Sequence, residues 1–332
     1  MSRVTADAPV DSPDTAAMLG IPQSARRRRR MSGTQRAALA GFVAPGFILF
    51  AMFVIYPLLS GIRYSFFNWT GTGPLIHFVG IKNYTYALFD HEFAHQFWRA
   101  VGHNFYFFAI SMVITLFIGI GLAYLLMLVK EKSSQRYTVI YMLPFTLPPV
   151  AVAYIWAIYL EPNNGVLSNA LNFFHLQALD KPFLGSGALA LPTIAVITAW
   201  VGMGFPVLVF MAAFMDVPTE LVEAATLDGA GKFRTLWSVL LPTIRPTILT
   251  ITTMNFIGAF STFDFIYILE GSQAGPNYST DVLATLFYRT GFGGFGATAT
   301  SMGLASALAI LGFLIVMIVS GIFIAIQRRL SN

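Results

Sequence analysis

The sequence predicts an all-α integral membrane protein with six membrane-spanning helices. Three observations carry that prediction. Of 332 residues, 56% are hydrophobic and only 11% are charged. A soluble domain is about one quarter charged, so a globule this short of charge could not cover a water-facing surface. Six stretches reach the roughly 20 mostly apolar residues that a spanning helix needs. The lysines and arginines are also divided unevenly between the segments joining those stretches, as cytoplasmic and external segments of a membrane protein are.

Residues 1–36 come first. They show no apolar period and contain the run Arg26–Arg30, which predicts a disordered cytoplasmic tail ending in a basic membrane flank. The net charge of +5 owes much to that run, so it does not point to nucleic acid. The membrane domain occupies residues 37–332. Its first stretch, Ala38–Ile62, is too long for a cleaved signal peptide and lacks a small-residue cleavage site. The others run approximately Phe105–Val129, Tyr137–Leu160, Ala190–Met215, Thr243–Leu269 and Ser301–Ile326.

With the N-terminus inside, the inner segments hold 15 lysines and arginines and the outer segments hold five: Arg63, Lys82, Arg99, Lys181 and Arg289. That split predicts both termini in the cytoplasm. The outer connection from Arg63 to His103 is rich in aromatic residues and is expected to lie along the membrane interface. Glu161-Pro162-Asn163-Asn164-Gly165 reads as a turn. No connection is long enough for a soluble domain of about 50 residues or more, so energy supply and substrate capture are expected on other chains. The absence of cysteine excludes disulfides and thiolate chemistry.

Two motifs suggest enzyme chemistry and fail on context. His91-Glu92-Phe93-Ala94-His95 matches the H-E-x-x-H pattern, which would put two imidazoles one helical turn apart beside a glutamate base. A catalytic zinc needs a third protein ligand. Trp98 and Val101 stand where the extended pattern needs Gly and His, and the next glutamate, Glu131, falls across the membrane. A membrane zinc protease is therefore the weaker alternative, and the pattern reads as a polar interfacial helix. Gly291-Phe292-Gly293-Gly294-Phe295-Gly296 matches G-x-G-x-x-G but follows no strand and opens no βαβ unit, so it reads as an outer loop. Gly119 and Gly121 read as helix-packing positions.

The connection 216–242, between the fourth and fifth stretches, is the most informative. Asp216 is a candidate N-cap with Pro218 in the first turn, and Glu220 and Glu223 lie near the positive end of the helix dipole. Gly229 and Gly231 can supply the left-handed conformation that ends a helix. A second helix then runs from Lys232 to an elbow at Leu241-Pro242. The small residues Ala224 and Ala225 offer a flat face that would let a partner approach closely, although an ordinary helical hairpin between two spans would read the same way.

The stretch resembles the EAA motif of ABC-importer membrane subunits. Glu223-Ala224-Ala225, Gly229 and Leu241-Pro242 fall at the family's spacing, with Val239 in place of the usual Ile. Pro45-Gly46, Tyr56-Pro57, Phe78-Val79-Gly80, Asn83-Tyr84, Leu143-Pro144, Ile155-Trp156, Phe263-Asp264 and Ile266-Tyr267 extend the resemblance to carbohydrate permeases of the maltose and glycerol-phosphate type, the first of the two membrane subunits in particular. One departure is Gly204-Phe205-Pro206, where the family has its proline at Gly204, so the bend in the fourth span is expected to be displaced.

The resemblance implies a six-helix permease with a cytoplasmic coupling helix. It implies as partners a second homologous permease, two ATPase subunits, an extracytoplasmic sugar-binding protein, a carbohydrate and membrane lipid. ATP and magnesium would sit on the ATPase, and this chain would carry no cofactor and no catalytic or metal site. Glu220, Glu223, Ala224, Ala225, Asp228, Gly229, Leu241 and Pro242 would form the ATPase contact. By the same carry-over, Phe145, Gly202, Phe205, Asn255, Gly258 and Thr262 would line the sugar path, although small and polar residues also join membrane helices. Few charges fall inside the stretches, with Asp264 near the outer end of the fifth and Arg245 near its inner end. An ion-coupled secondary carrier, the remaining alternative, would usually bury several acids.

Overall fold

The computed structural model describes residues 33–162, 164–293 and 300–331. These fold as helices joined by turns, with one isolated antiparallel bridge between Phe67 and Phe78. They form two units divided at Pro57. The predicted tail lies almost wholly outside the described residues, and the first helix begins at Gly33. The predicted first stretch is helical throughout, as Gly33–Phe50, a π turn at Ala51–Ile55, and Tyr56–Tyr64. Pro57 has no N–H for the carbonyl four residues back, and widening the preceding turn accommodates the gap. The π turn at Leu236–Leu240 stands in the same relation to Pro242.

In the second unit, three predicted spans are interrupted. The second is a single rod, Phe93–Leu128, that starts well before Phe105 and so carries Gln96, Arg99, His103 and Asn104 outward from its apolar part. The third is two helices, Glu131–Thr146 and Pro149–Tyr159, with a bend of 92° between them. Leu147 precedes Pro148 and Pro148 precedes Pro149. A residue before proline is pushed out of the helical region, and both are extended, with ψ of 145° and 130°.

The fourth span bends by 51° between Ala190–Gly202 and Gly204–Met215. Pro206 supplies the cause: it cannot donate to the carbonyl of Gly202 and its ring crowds that carbonyl. Gly204 meanwhile permits close packing, since a Cβ there would lie 3.0 Å from Met142 Cα and 3.1 Å from the Tyr141 carbonyl oxygen. The predicted fifth span is also divided, into Arg245–Ser261 and Asp264–Glu270. The sixth is the unbroken helix Met302–Ser331. Three helices are thus long and apolar enough to cross a membrane alone, and the two bent pairs would make five.

Side chains of the second unit bury themselves in three clusters. One, inner on the predicted orientation, joins the second, fourth and fifth spans around Tyr124, Met203, Phe210, Leu240 and Ile251. The other two lie mainly toward the opposite end, around Phe107, Val152, Ile194 and Ile266, and around Phe97, Phe256, Leu286 and Leu308, the last reaching along the sixth span to Phe323.

A buried polar clasp closes that opposite end. Arg289 donates to both carboxylate oxygens of Asp281, at 3.0 and 2.9 Å, and Asp281 is wholly buried. Thr285 Oγ1 donates to the same carboxylate at 2.8 Å, and His103 Nδ1 donates to the Asp281 carbonyl at 2.7 Å. The residue after His103 extends the clasp: Asn104 Nδ2 donates to the Ala259 carbonyl and its Oδ1 accepts from Leu283 N–H, so one amide joins three segments. The sequence reading counts Arg289 only as an outer positive charge and does not find Asp281.

Removing one partner of a buried ion pair leaves an uncompensated charge and costs about 3–5 kcal/mol, whereas an apolar replacement of both is often close to neutral. Arg289→Met is therefore expected to lower the unfolding midpoint of the purified protein sharply. Adding Asp281→Ala to it should recover most of the loss. Equal destabilisation by the single and double variants would show that the clasp is not an ion pair in function.

Candidate functional site

The hairpin between the fourth and fifth spans is built from a helix at Thr219–Leu227, a turn, and a helix starting at Lys232. Two capping expectations are corrected. Asp216 ends the fourth span, its N–H bonding the Ala212 carbonyl at 3.1 Å, and Pro218 itself occupies the N-cap position without a side-chain cap. Pro218 itself is extended, with a ψ of 129°, so the helical residues begin at Thr219. Gly231 is not left-handed; it is an extended N-cap at φ −69° and ψ 165°.

Gly229 does behave as expected. Its φ is +77°, and the Ala230 N–H reaches back to the Ala225 carbonyl at 2.9 Å, the long bond of a left-handed helix end. A Cβ at Gly229 would meet nothing within 4 Å, so backbone conformation alone restricts the position.

The hairpin is anchored on one side only. Val222 packs against the inner cluster, and Tyr124, at the inner end of the second span, donates from its hydroxyl to the Lys232 carbonyl at 2.7 Å. Thr235 and Leu236 are buried below it. Glu220, Glu223, Ala224, Asp228 and Gly229 are exposed, Ala225 is half-buried, and Leu241 and Pro242 are half-buried at the elbow. Leu227 is 89% exposed and Phe233 73%. Apolar side chains presented so fully at the tip of an anchored hairpin mark an interaction surface.

The six expected path residues lie on the third, fourth and fifth spans. Phe145 and Phe205 stack, with ring centroids 6.3 Å apart, and stand beside the bends of the third and fourth spans. Gly202 precedes the latter bend. Asn255 joins two helices: it accepts from Ser111 Oγ at 2.9 Å and donates to Thr115 Oγ1 at 3.2 Å. Gly258 is exposed, and Thr262 is the extended residue where the fifth span breaks. A cavity of about 1180 Å³ lies nearby, lined by Ile118, Pro144, Trp156, Trp200 and Met203 among others, but by none of the six. It is almost wholly apolar, which suits hydrocarbon better than a sugar.

The H-E-x-x-H pattern does not form its helical turn. Helix begins at Phe93, so His91 and Glu92 precede it and only His95 is on it. Among the described residues no three of His, Asp and Glu are grouped to hold a metal. Gly294, Phe295 and Gly296 of the glycine-rich motif lie outside the described residues. Gly119 packs as expected, its Cβ position 3.4 Å from Met203 Sδ, while that of Gly121 is open.

Residues 115–332 match the family described as binding-protein-dependent transport system inner membrane component. The diacetylchitobiose uptake system permease protein NgcF of Streptomyces coelicolor is 30% identical over 320 residues, 93% of this chain and 88% of that protein. The multiple sugar-binding transport system permease protein MsmF of Streptococcus mutans is 30% identical over 288 residues, 87% of this chain and 94% of that one. The crystal structure of a bacterial ABC transporter involved in import of the acidic polysaccharide alginate contains a chain that superposes with a TM-score of 0.72 at 25% identity. That match covers 90% of this chain and 98% of that one. A second alginate transporter structure, in complex with its alginate pentasaccharide-bound periplasmic protein, has the same fold at a TM-score of 0.74 and 23% identity, over 90% of this chain and 96% of that one.

Interhelical side-chain hydrogen bonds in membranes average about 0.6 kcal/mol each. Asn255→Ala, which removes two, should cost about 1 kcal/mol, read as a lower unfolding temperature in lipid. Ser111→Ala added to Asn255→Ala should cost little more, because both changes break one shared link. Fully additive losses would show that Asn255 and Ser111 are not joined.

Proposed function

The chain belongs to the binding-protein-dependent transport system inner membrane components, and we propose that it forms, with a second homologous permease, the path for a sugar delivered by an extracytoplasmic binding protein. It is the permease subunit of a sugar ABC importer. It is not an enzyme; ATP hydrolysis belongs to a separate subunit.

The hairpin carries this reading furthest. Its exposed face, Glu220, Glu223, Ala224 and Asp228, would dock in a groove of one of two ATPase subunits, with Ala225 and Gly229 fixing the turn and Leu241-Pro242 the elbow. The arrangement supports this because the docking face is free of the bundle while Val222 and Lys232 are held by it. A helix attached in that way can pass force inward without first unfolding. Phe145, Gly202, Phe205, Gly258 and Thr262 remain the proposed sugar-path residues, being small or aromatic and at or near the breaks. Asn255 would act there through helix positioning as much as through contact.

The six-span count and the sidedness are part of the proposal. They rest on the 15-to-5 division of lysine and arginine. Single cysteines at Ser32, Asn164, Asp228, Asn277 and Ser331 need no background removal, because the chain has none. In intact cells an impermeant thiol reagent should label only those at Asn164 and Asn277. Labelling at Asp228 would invert the orientation and remove the hairpin from the ATPase.

Coupling is tested on the assembled transporter. Ala224→Trp adds bulk to an exposed position, so the bundle should fold while docking fails. Gly229→Val forces a β-branched residue into positive φ, at about 1–3 kcal/mol. Glu223→Lys reverses a charge near the helix N-terminus. Each should abolish sugar uptake and substrate-stimulated ATP hydrolysis and weaken retention of the ATPase. Wild-type uptake and stimulation in both Gly229→Val and Glu223→Lys would make the loop an ordinary hairpin.

A further inference from the structure

The connection between the third and fourth spans contains a segment that the transport reading leaves without a role. From Pro162 to Leu179 the sequence has no Asp, Glu, Lys or Arg, although Glu161 and Asp180-Lys181 flank it. Eighteen residues without a formal charge are unusual for a connection facing water.

Within it, a helix runs from Val166 to Phe173. It is apolar on two faces. Leu167 packs against the bundle, and Ser168 is buried and bonded to the Asp180 carboxylate. The second apolar face points away from the bundle. Val166, Ala170 and Phe173 follow one another at helical spacing and all are exposed. Past the helix, His175 adopts a φ of +58° and the Leu176 N–H returns to the Leu171 carbonyl at 2.8 Å, folding the chain back on itself. Phe174, Leu176 and Leu179 are exposed there too; Phe173 and Phe174 are 78% and 66% exposed and meet edge to face.

The position of this segment is fixed by Gly165. A Cβ there would lie 2.7 Å from the Tyr159 carbonyl oxygen, so the helix starts directly against the end of the third span. The outward side of that span is itself apolar and exposed, through Tyr154, Ile155 and Ile158. The exposed face of Val166–Leu179 is thus continuous with the exposed apolar side of the third span.

We propose that Val166–Leu179 is a membrane-interface anchor. Its exposed apolar side, led by Phe173 and Phe174, sits in the headgroup and upper acyl region of the bilayer beside the third span. The inference rests on the membrane reading of the flanking spans, not on the transport reading. The chemistry fits lipid rather than a folded protein partner. The segment offers no charge to steer a partner. Its aromatic and aliphatic side chains with neutral Asn and Gln between them are what the interface takes up. Held there, the segment would fix the outer half of the bent third span at membrane depth, with Ser168 and Asp180 tying the anchor to the start of the fourth.

The absence of cysteine makes the test direct. Single cysteines replacing Phe173, Phe174, Leu179 and Asn172 are spin-labelled in the full chain held in lipid nanodiscs. Accessibility to oxygen and to a water-soluble nickel chelate is then compared. Labels at Phe173, Phe174 and Leu179 should favour oxygen severalfold over that at Asn172. In a Phe173→Asp, Phe174→Asp background, the label at Leu179 should become markedly more open to nickel while labels in the third span keep their depth. Equal nickel access at Phe173 and Asn172 would overturn the proposal. So would protection of Phe173 that is absent from the chain alone in lipid and arises only in the assembled transporter, since that marks a protein contact. Loss of the importer reading would leave the depth profile unchanged, so the two failures are distinguishable.

Discussion

Hydrocarbon offers no water to an unpaired backbone group, so each spanning segment must satisfy its own N–H and C=O groups or break only where something else can. The interruptions in this chain follow that constraint. At Pro57 and Pro242 proline removes one donor from an otherwise intact helix, and there the ladder widens into a π turn. Where prolines stand in tandem, at Pro148-Pro149, the ladder stops and the chain turns by 92°. Threonine hydroxyls in the spans are turned back onto carbonyls four residues earlier, as Thr198 onto Ile194 and Thr252 onto Ile248, so they present no unpaired donor to lipid.

On the proposed orientation, buried side-chain packing divides the second unit into an inner body and an outer one. The inner cluster takes Tyr124 from the second span, Met203 onward from the fourth and Ile251 from the fifth. The outer clusters take Phe107, residues up to Val201, and Phe256 onward. Between them the second span has the π turn Thr115–Gly119, the third its break at Leu147-Pro148, and the fourth its bend at Met203. Asn255 lies at this same level, linking two spans across it. Three spans therefore change direction or pitch where one packed body meets the next.

The sequence makes legible those features that depend on local pattern. Apolar length announces the spans, and glycine at residue 229 announces the left-handed helix end because few other residues adopt it cheaply. The hairpin's spacing announces the family. Features that depend on two distant residues are not legible in the same way. Asp281 and Arg289 look like unrelated outer charges until the fold buries them together. Nothing local in the sequence shows that Asn255 bonds Ser111 and Thr115. Asp216 is a plausible cap by type, but the preceding helix runs on to it and the next begins only after the extended Pro218. By apolar length the third stretch looks continuous, and its break at Pro148-Pro149 and its angle appear only in the fold.

These two bodies give the hairpin its mechanical meaning on the proposed reading. Val222 and the Tyr124–Lys232 link attach it to the inner cluster alone. The clasp of Asp281, Arg289, Asn104 and His103 belongs to the outer end. A displacement applied at Glu223 and Ala224 would therefore act first on the inner halves of the second, fourth and fifth spans. Close-packed clusters resist continuous deformation, so each body would keep its internal packing. The change would fall on the few residues between them, where the backbone already departs from a regular helix and can absorb it. Phe145, Gly202 and Phe205 stand beside those residues. A path lined there would be opened or closed by the relative position of the two bodies, with no side chain on this chain needing to do chemistry.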